Sequence, residues 1–530
     1  MSVDTPHWVH DAVFYQIFPD RFARSERVPK PGSLEPWDAP PTTHGFKGGD
    51  LLGIVDRLDD LVDLGITALY LNPIFSSAAN HRYHTDDYEH VDPLLGGDAA
   101  LRALLDACHE RAMKVILDGV FNHSGRGWLP FHHVMENGMS SPYRDWFYLD
   151  PNRLDQGRAL QAYPSEELVA EMRRMASTES LASGLASERM LGYRSWWDLP
   201  ALPKINVDHP PARAHLLDIA QRWLRFGADG WRLDVPAEVD QAFWREFRQR
   251  CREVDPDTYL VGEIWQVRPD WTSEGLFGAL MNYPLTEALI GYCGGASIDW
   301  GLVAGQDQYR ETIRMLDGPA FGSELERLMA AYDADVVRAQ LNLLDSHDTP
   351  RFVTMCGGDI AAHRMATLVQ MTLPGAPCVY YGDEIGMEGG PDPDCRRSFP
   401  ADPATWDNER RAFIKGAIAL RNAHPVLRHG KFDVLAAGGS AVAYSRHDES
   451  ESFVIALNNG AQEASLAIDV AAVQDRPLQP VEWGGWPDGE RGRVERSENG
   501  LSLHVPARGS LLLRQPPDRS PAPAPYVRLR

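Results

Sequence analysis

Short apolar, β-branched or aromatic runs alternate with segments of helical periodicity along most of this chain. The strand-like runs span residues 13–18, 68–71, 114–117, 230–233, 259–261, 278–283, 341–344 and 378–381. Helical spacing of apolar residues is found between them, at residues 51–64, 99–112, 212–226 and 243–254. Alternation of this kind is typical of a parallel sheet covered by helices. Eight such strands predict a (β/α)8 TIM barrel, an α/β fold of about 250 residues.

The chain has 530 residues, more than a barrel needs, and the excess falls in two places. The segment between the third and fourth strands is rich in Trp, Tyr, Pro, Met and Ser and is too long for a simple loop. Beyond about residue 425, short strand-like runs are separated by Gly and Asn turns. We therefore predict a barrel at 1–123 and 201–425, an inserted subdomain at 124–200, a C-terminal antiparallel β-sandwich domain at 426–515 and a proline-rich tail at 516–530.

The formal charge of -23 argues against nucleic acid or an anionic membrane surface as a partner, because either would be repelled. A neutral ligand such as a sugar is compatible with it. No apolar run approaches membrane-spanning length, and the first residues have neither a basic nor an apolar leader segment, so we expect a cytoplasmic protein. The six cysteines show neither metal-binding nor disulfide spacing. We expect them to be reduced and mostly buried.

Three acidic residues each follow a strand-like run. Asp234 closes Gly-Trp-Arg-Leu-Asp, Glu263 lies in Gly-Glu-Ile-Trp, and Asp348 closes Asp-Ser-His-Asp. A single Asp at a strand end is more often a helix cap or an ion-pair partner than a catalyst. However, Asp234 and Glu263 are about one strand-helix-strand unit apart and would emerge side by side at the C-terminal rim of a barrel. Glycoside hydrolysis requires such a carboxyl pair, so together the motifs indicate a glycosidase.

Four strings resemble, in order, the best known motifs of the α-amylase family of glycoside hydrolases. They are Asp-Gly-Val-Phe-Asn-His at 118–123, Gly-Trp-Arg-Leu-Asp-Val at 230–235, Gly-Glu-Ile-Trp at 262–265 and Leu-Asp-Ser-His-Asp at 344–348. The resemblance runs from about residue 13 to 514. It implies a retaining mechanism with Asp234 as nucleophile, Glu263 as acid/base and Asp348 holding hydroxyls of the reacting sugar. In that case the carboxyls of Asp234 and Glu263 should lie roughly 5 to 5.5 Å apart.

The resemblance also implies roles for several sugar-binding side chains. His123 and His347 match the family's histidines that donate to the reacting sugar, and Tyr83 matches a ring that stacks beneath it. Asp392 and Arg396 resemble an outer sugar clamp, although a structural salt bridge would have the same spacing.

Protonation differs between the two reacting carboxyls in such a mechanism. Arg232, two residues before Asp234 and on the same strand face, is expected to bind substrate and to keep Asp234 ionised by charge pairing. Glu263 must be protonated at rest, and burial with neighbouring carboxylates would raise its pKa. Asp118 is expected to be a structural residue that holds Arg232.

Further strings resemble the neopullulanase, cyclomaltodextrinase and maltogenic amylase branch of that family. They are Gln-Ile-Phe-Pro-Asp-Arg-Phe at 16–22, Ala-Leu-Pro-Lys-Ile-Asn at 201–206, Met-Asn-Tyr-Pro-Leu at 281–285 and Gly-Gly-Pro-Asp-Pro-Asp-Cys-Arg at 389–396. The branch implies hydrolysis of α-1,4 bonds in cyclodextrins, pullulan and short maltooligosaccharides, with some α-1,6 cleavage and glycosyl transfer. Glu238 also fits it.

The chain departs from the branch in three respects. It begins near the first barrel strand, so the branch's N-terminal β domain, which helps relatives dimerise, is expected to be absent and the oligomeric state stays open. The loop after Phe22 lacks the Asn and Asp cluster that binds calcium in relatives, although Gly48 and Asp50 persist. A calcium ion needs six or more oxygens, so we predict no strong calcium site, and the sequence indicates no other cofactor. His84 stands where many relatives have Asp.

Two alternatives remain. The first is an α-glucosidase, or a glucosyltransferase or isomerase of the same family, which differs in the loops around the outer sugars. The second is a barrel without catalysis, as in some transporter heavy chains. Such proteins typically lose a catalytic carboxylate and carry a membrane segment, whereas this sequence keeps all three carboxylates.

Overall fold

The computed structural model describes residues 5–273, 275–469, 478–497 and 500–516. The predicted proline-rich tail therefore lies, from residue 517 onward, outside the described residues. The strands up to the end of the barrel are β1 (Phe14–Ile17), β2 (Ala68–Leu71), β3 (Phe75–Ser77), β4 (Thr85–Val91), β5 (Lys114–Gly119), β6 (Gly230–Leu233), β7 (Tyr259–Gly262), β8 (Ala279–Leu280), β9 (Leu341–Leu343) and β10 (Ala376–Tyr380).

All of these strands except the β3–β4 hairpin form one parallel sheet in the order β8-β7-β6-β5-β2-β1-β10-β9. A parallel bridge between Met281 and Leu341 joins the two ends of that order and closes the sheet. Strands β1, β2, β6 and β7 are buried along their whole length, as a parallel sheet covered on both faces requires. The prediction of an eight-stranded TIM barrel is confirmed.

Helices cover the outside of the barrel and fill the connections. They are α1 (His7–Asp11), α2 (Pro19–Phe22), α3 (Leu51–Val55), α4 (Leu58–Leu64), α5 (Gly97–Glu110), α6 (Leu129–Asn137), α7 (Pro151–Asp155), α8 (Glu166–Thr178), α9 (Leu185–Leu191), α10 (Pro210–Arg225), α11 (Gln241–Val254), α12 (Tyr283–Leu289), α13 (Trp300–Ala304), α14 (Gly318–Ala330), α15 (Ala334–Ala339), α16 (Phe352–Met355), α17 (Ile360–Thr372), α18 (Asn408–Ala423) and α19 (Pro425–His429). Among these described residues, no helix is long and apolar enough to cross a membrane.

The prediction of one continuous helix at residues 51–64 is wrong. The segment 51–64 forms two helices, α3 and α4, separated by a turn in which the Arg57 N–H bonds the Ile54 carbonyl three residues back. Leu51, Ile54, Leu58 and Leu61 are nevertheless all buried. The apolar spacing therefore continues across the break, and periodicity alone could not reveal it.

Helices α6–α9 lie between β5 and β6, in the segment predicted as an insertion. Three antiparallel bridges hold this segment in place. His123 pairs with Lys204 and brings its two ends together, while Phe147 pairs with Ile205 and Ser195 with Pro203 in the stretch before α10. They fix the insertion beside the carboxyl ends of the barrel strands.

The C-terminal strands are β11 (Lys431–Gly438), β12 (Ala441–His447), β13 (Ser452–Asn458), β14 (Ala464–Ile468), β15 (Gln479–Pro480), β16 (Arg493–Ser497), β17 (Gly500–Val505) and β18 (Gly509–Gln515). They form two antiparallel sheets, in the orders β11-β12-β13-β18-β15 and β14-β17-β16. Val454, Leu466, Leu503 and Leu513, drawn from both sheets, share one buried apolar cluster. The predicted C-terminal antiparallel β domain is confirmed.

Candidate active site

Asp234, Glu263 and Asp348 meet at the carboxyl ends of β6, β7 and β9. All three line one cleft of about 880 Å³ at the open end of the barrel. This is the end at which TIM-barrel enzymes carry their active sites, because the loops after the strands converge there. The barrel's strand order brings together side chains that are far apart in the sequence.

The side chain of Arg232 lies beneath two of these carboxylates. Its Nη1 is 2.8 Å from Asp118 Oδ1 and 3.0 Å from Asp234 Oδ1, and its Nη2 is 3.0 Å from Glu263 Oε2. Arg232 has no solvent exposure. A single guanidinium therefore offsets three buried carboxyls, a strongly coupled arrangement in which removing the cation would be costly.

The carboxyls of Glu263 and Asp234 differ in their hydrogen-bond partners. Glu263 Oε2 accepts from the Val235 N–H at 3.1 Å and Oε1 from the Trp265 indole N–H at 3.2 Å. Asp234 Oδ2, by contrast, is buried without a hydrogen-bond partner in the described part of the chain. Asp234 thus has an oxygen available for another reaction partner. Val235 makes this geometry with φ of 35°, a left-handed conformation that strains a β-branched residue.

Protonation in this cluster is governed first by burial. Burial raises the pKa of Glu263 to about 7, against the charge of Arg232 and with help from the nearby Asp348 carboxylate. Burial also raises the pKa of Asp234, and the Glu263 and Asp118 carboxylates add to the rise while Arg232 opposes it. Because the two carboxyls share one guanidinium, they titrate together and the pair retains a proton near neutral pH. Arg232 therefore does not simply hold Asp234 ionised, as expected from the sequence, but competes with the cost of burial.

A second layer of hydrogen bonds positions the cluster from below. Tyr70 Oη and Tyr83 Oη donate to Asp118 Oδ2 at 2.8 and 2.7 Å. Tyr83 Oη also lies 2.6 Å from His347 Nε2, and the Tyr83 and His347 rings are parallel at 5.3 Å. As predicted, Asp118 contacts Arg232, and it does so while fixed by two tyrosines.

The tautomer of His347 follows from its neighbours. The side-chain amides of Gln16 and Asn72 donate to Nδ1 at 3.0 and 3.1 Å, so the proton is on Nε2. Nε2 faces Tyr83 and lies 3.1 Å from Asp348 Oδ2. Burial lowers the pKa of His347 well below its usual range, so the ring is neutral.

Arg396 connects the third carboxylate to the loop after β10. Its Nη2 is 3.3 Å from Asp348 Oδ1, its Nη1 is 2.9 Å from Asp392 Oδ1, and its Nε donates to the His347 carbonyl at 2.8 Å. The predicted pair of Asp392 and Arg396 is therefore a salt bridge that also reaches Asp348. Sugar binding and a structural role are both compatible with this geometry.

Three stacked rings form another part of the cleft lining, one from the end of the third barrel strand's loop and two from the inserted segment. His123 stacks on Trp196 at 5.1 Å, and Trp196 stacks on Trp197 at 4.7 Å. His123 Nε2 is buried with no hydrogen-bond partner among the residues described, and burial lowers the pKa of this ring to about 3. A neutral imidazole nitrogen is therefore left available at the cleft. Trp197 is 66% exposed and has φ of 52°.

Most of the predicted site residues share this cleft. Its lining includes Asp234, Glu263, Asp348, Tyr83, His123, Asp392 and Arg396, together with His84. Arg232 and His347 lie beneath the lining, and both residues are fully buried. Arg232 contacts Asp234 and Glu263, and His347 contacts Tyr83 and Asp348.

A model of the alpha-amylase catalytic domain matches residues 16–417. The chain belongs to the alpha-amylase family. The prediction of a glycoside hydrolase is thereby confirmed, and the motifs that led to it lie at the cleft of this alpha-amylase barrel.

Individual relatives narrow the branch within the alpha-amylase family. A cyclomaltodextrinase of Geobacillus thermopakistaniensis is 39% identical over 471 residues, covering 88% of this chain and 72% of that protein. Neopullulanase 2 of Thermoactinomyces vulgaris is 37% identical over 475 residues, with the same two coverages of 88% and 72%. The native debranching enzyme of Nostoc punctiforme superposes with a TM-score of 0.84 at 40% identity, covering 97% of this chain and 100% of that one. The predicted branch is confirmed.

The residues at the position of the family's calcium loop do not fit a calcium ion. Asp50 accepts from the N–H groups of Gly53 and Ser25 at 2.7 and 2.9 Å, and the Lys30 ammonium lies 3.0 Å from its Oδ2. An ammonium there would repel a second cation, and the oxygens that calcium needs are already used. In the described part of the chain, no three His, Cys, Asp or Glu residues are grouped so that they could hold a metal ion.

A lysine ammonium connects two barrel loops near the second motif. Lys204, from the Leu-Pro-Lys-Ile-Asn string, donates to Asn122 Oδ1 at 2.8 Å and to the Glu238 carbonyl at 2.7 Å. Burial lowers the pKa of Lys204, while Glu238 opposes that change. The ammonium thus cross-links the end of β5 to the turn after β6.

Several site residues were missed from the sequence. Gln16 and Asn72 orient His347 from inside the barrel, and a polar residue within each strand-end motif was the available signal. Trp196 and Trp197 form a visible Trp-Trp pair, but nothing in the sequence indicates which residues of the insertion reach the cleft. Glu287, which also lines the cleft, carries no motif at all.

Proposed function

We propose that this alpha-amylase family member hydrolyses α-1,4 glucosidic bonds of cyclodextrins, maltooligosaccharides or pullulan with retention of configuration. Some α-1,6 cleavage and some glycosyl transfer accompany this activity. The observation that carries the proposal is the unpaired Asp234 Oδ2 beside the hydrogen-bonded Glu263 carboxyl, both in contact with Arg232 in one cleft. The Geobacillus cyclomaltodextrinase and the neopullulanase support the substrate class.

In the first step, Asp234 Oδ2 forms a bond to the anomeric carbon while the glycosidic C–O bond breaks. Glu263 transfers its proton to the departing oxygen, which leaves as a sugar hydroxyl. In the second step, the Glu263 carboxylate takes a proton from water or from an acceptor hydroxyl, whose oxygen displaces Asp234. Two inversions at one carbon give net retention, and the choice between water and sugar decides hydrolysis or transfer.

The remaining site residues would hold the sugar during both steps. Asp348 would accept hydrogen bonds from hydroxyls of the reacting ring, and His123 Nε2, which has no partner among the described residues, would bind another hydroxyl. Tyr83 offers a ring at the cleft, fixed from behind by His347. Asp392 and Arg396 would bind the next sugar outward. Arg232 acts through Asp234 and Glu263 as a positioning residue.

Incubation with β-cyclodextrin, maltotriose, pullulan and trehalose, followed by chromatography of the products, tests the proposal. Maltose as a major product from longer chains is the expected result. Glucose alone from maltotriose would favour the α-glucosidase alternative, and conversion of trehalose without hydrolysis of glucans would favour the transferase or isomerase. The absence of products from every α-glucan would overturn the proposal.

A cytoplasmic location is part of the proposal. All six cysteines are unpaired and buried in the structure, which suits a reducing compartment. Fractionation of the source cells with an antibody to the protein would check it.

A further inference from the structure

A second pocket, of about 310 Å³, opens from the wall of the cleft. Its walls are α12, the segment 311–316 and α14. It shares Pro284, Glu287, Thr312 and Arg327 with the lining of the main cleft, so the two spaces are connected. A volume near 300 Å³ is at the lower end of the range found for small-molecule sites. We call this space the branch pocket.

Polar and charged groups of both signs line the branch pocket. Its carboxylates belong to Glu287, Glu311 and Glu324, its guanidinium groups to Arg314 and Arg327, and its hydroxyl to Thr312. With three acids and two bases, the pocket has no excess of positive charge that would favour a phosphate. Carboxylates accept and guanidinium groups donate, so the set suits a neutral ligand with many hydroxyls.

The charged side chains of Glu287 and Arg327 line both the cleft and the branch pocket. Arg327 is held by Glu324, with Nε to Oε2 at 2.9 Å and Nη2 to Oε1 at 2.5 Å. Burial raises the pKa of Glu287 to about 7, with a smaller contribution from Glu324. Near neutral pH the Glu287 carboxyl can therefore either donate to a sugar hydroxyl or accept from one.

The branch pocket adjoins the cleft lining that contains Glu263 and Trp265. Trp265 binds Glu263 through its indole N–H and stacks on Tyr283 with ring centroids 3.5 Å apart. Tyr283 is the first residue of α12, and Glu287 follows one turn later on the same helix. Glu263 is therefore linked to the wall of the branch pocket through Trp265 and α12. Tyr283 is fully buried, whereas Trp265 lines the cleft, where its ring can contact a sugar.

We propose that the branch pocket binds a second glucan chain, joined to the main chain by an α-1,6 bond on the leaving-group side of the scissile linkage. The same hydroxyl chemistry would serve a leaving chain in hydrolysis and an acceptor sugar in transfer. This inference rests on the proposed function, because it specifies which α-glucans that site accepts.

The test compares two tetrasaccharides of glucose, linear maltotetraose and an isomer that carries one α-1,6-linked glucosyl branch. The variants are Glu287→Gln and Arg314→Ala, and Glu326→Gln is the matched control, an exposed glutamate on α14 outside the pocket lining. We expect the ratio of kcat/KM for the branched to the linear substrate to fall about tenfold in both variants, the effect of one lost charged hydrogen bond. The control should keep the wild-type ratio.

The outcomes separate the two proposals. If the wild type cleaves neither substrate nor any other α-glucan, the proposed function fails and this inference with it. If the wild type cleaves both but neither variant changes the ratio, only the branch pocket is refuted. Arg314 is exposed, so its variant keeps the test decisive should Glu287→Gln fail to fold. Glycosyl transfer to a branched acceptor, measured alongside, distinguishes the acceptor from the leaving chain.

Discussion

The floor of the cleft and its rim are built on opposite principles. The floor, defined as Asp118, Arg232, Asp234 and Glu263, is almost wholly buried, and Arg232 contacts the other three members. The rim residue Trp197, in contrast, is 66% exposed. The floor therefore determines protonation and reactivity through burial, whereas the rim can vary without disturbing the chemistry.

The largest difference should appear when the proposed nucleophile is removed. Asp234→Asn keeps the shape of the side chain and a carbonyl oxygen for Arg232, but it cannot form the covalent intermediate. We expect kcat on maltotriose to fall by about 10⁴-fold or more, as for other covalent nucleophiles. Thermal unfolding of the variant serves as the control for folding, and wild-type turnover would refute the assignment of Asp234.

The free energy of unfolding should next distinguish the buried floor from the exposed branch pocket. Arg232→Met leaves three buried carboxyls without a cation, so the free energy of unfolding at neutral pH should fall by about 3–5 kcal/mol. Arg314→Met, which removes the same charge at the branch pocket, should change it by no more than about 0.5 kcal/mol. Urea denaturation measures both values.

The loss in the free energy of unfolding caused by Arg232→Met should also depend on pH. Without the guanidinium the floor carboxyls have pKa values raised further, so each contributes stability that is present at low pH and is lost as pH rises. The gap from the wild type should therefore narrow toward pH 5. Equal losses in Arg232→Met and Arg314→Met would contradict the contrast between the buried floor and the exposed branch pocket.

The pH profile of the wild type reports on Glu263 directly. Because its pKa is raised to about 7, the acid form persists to neutral pH and kcat/KM should decline above that value. Initial rates across pH 5–9 on maltotriose measure the decline. The decline of kcat/KM above pH 7 should be absent from the residual activity of Glu263→Gln. A wild-type profile that stays flat to pH 9 would argue against Glu263 as the general acid.

The smallest effect is expected at the rim. Trp197→Gly removes an exposed stacking surface, so KM for maltoheptaose should rise about 2- to 10-fold while maltotriose is little affected. Glycine adopts φ near 52° without strain, so unfolding should not become easier. An equal loss on both substrates would mean that Trp197 supports the site rather than longer chains.

The sequence allowed the barrel and the reacting carboxyls to be predicted, because both depend on local patterns. A strand-like run overlapped every barrel strand, and Asp234, Glu263 and Asp348 lay in motifs at the ends of such runs. The break after Val55 was not predictable, since the apolar spacing of α3 and α4 is continuous. The division into an inserted subdomain and its boundaries stays a prediction.

What escaped prediction depends on contacts between distant segments. Lys30 neutralises Asp50 and Lys204 bridges Asn122 to Glu238, and neither pairing has a local signature. The pKa balance in the floor was likewise only partly foreseen. Arg232 was expected to keep Asp234 ionised, but burial of Asp234 has the larger effect on its pKa.

Trapping the covalent intermediate tests the central division of labour between Asp234 and Glu263 most directly. In Glu263→Gln, a maltosyl fluoride substrate needs no acid for departure of fluoride, whereas release of the sugar from the enzyme lacks its base. We predict that intact-protein mass spectrometry shows one added maltosyl group and that peptide mapping places it on Asp234. An adduct on Asp348 or another residue, or rapid release of a β-configured product without any adduct, would contradict the account.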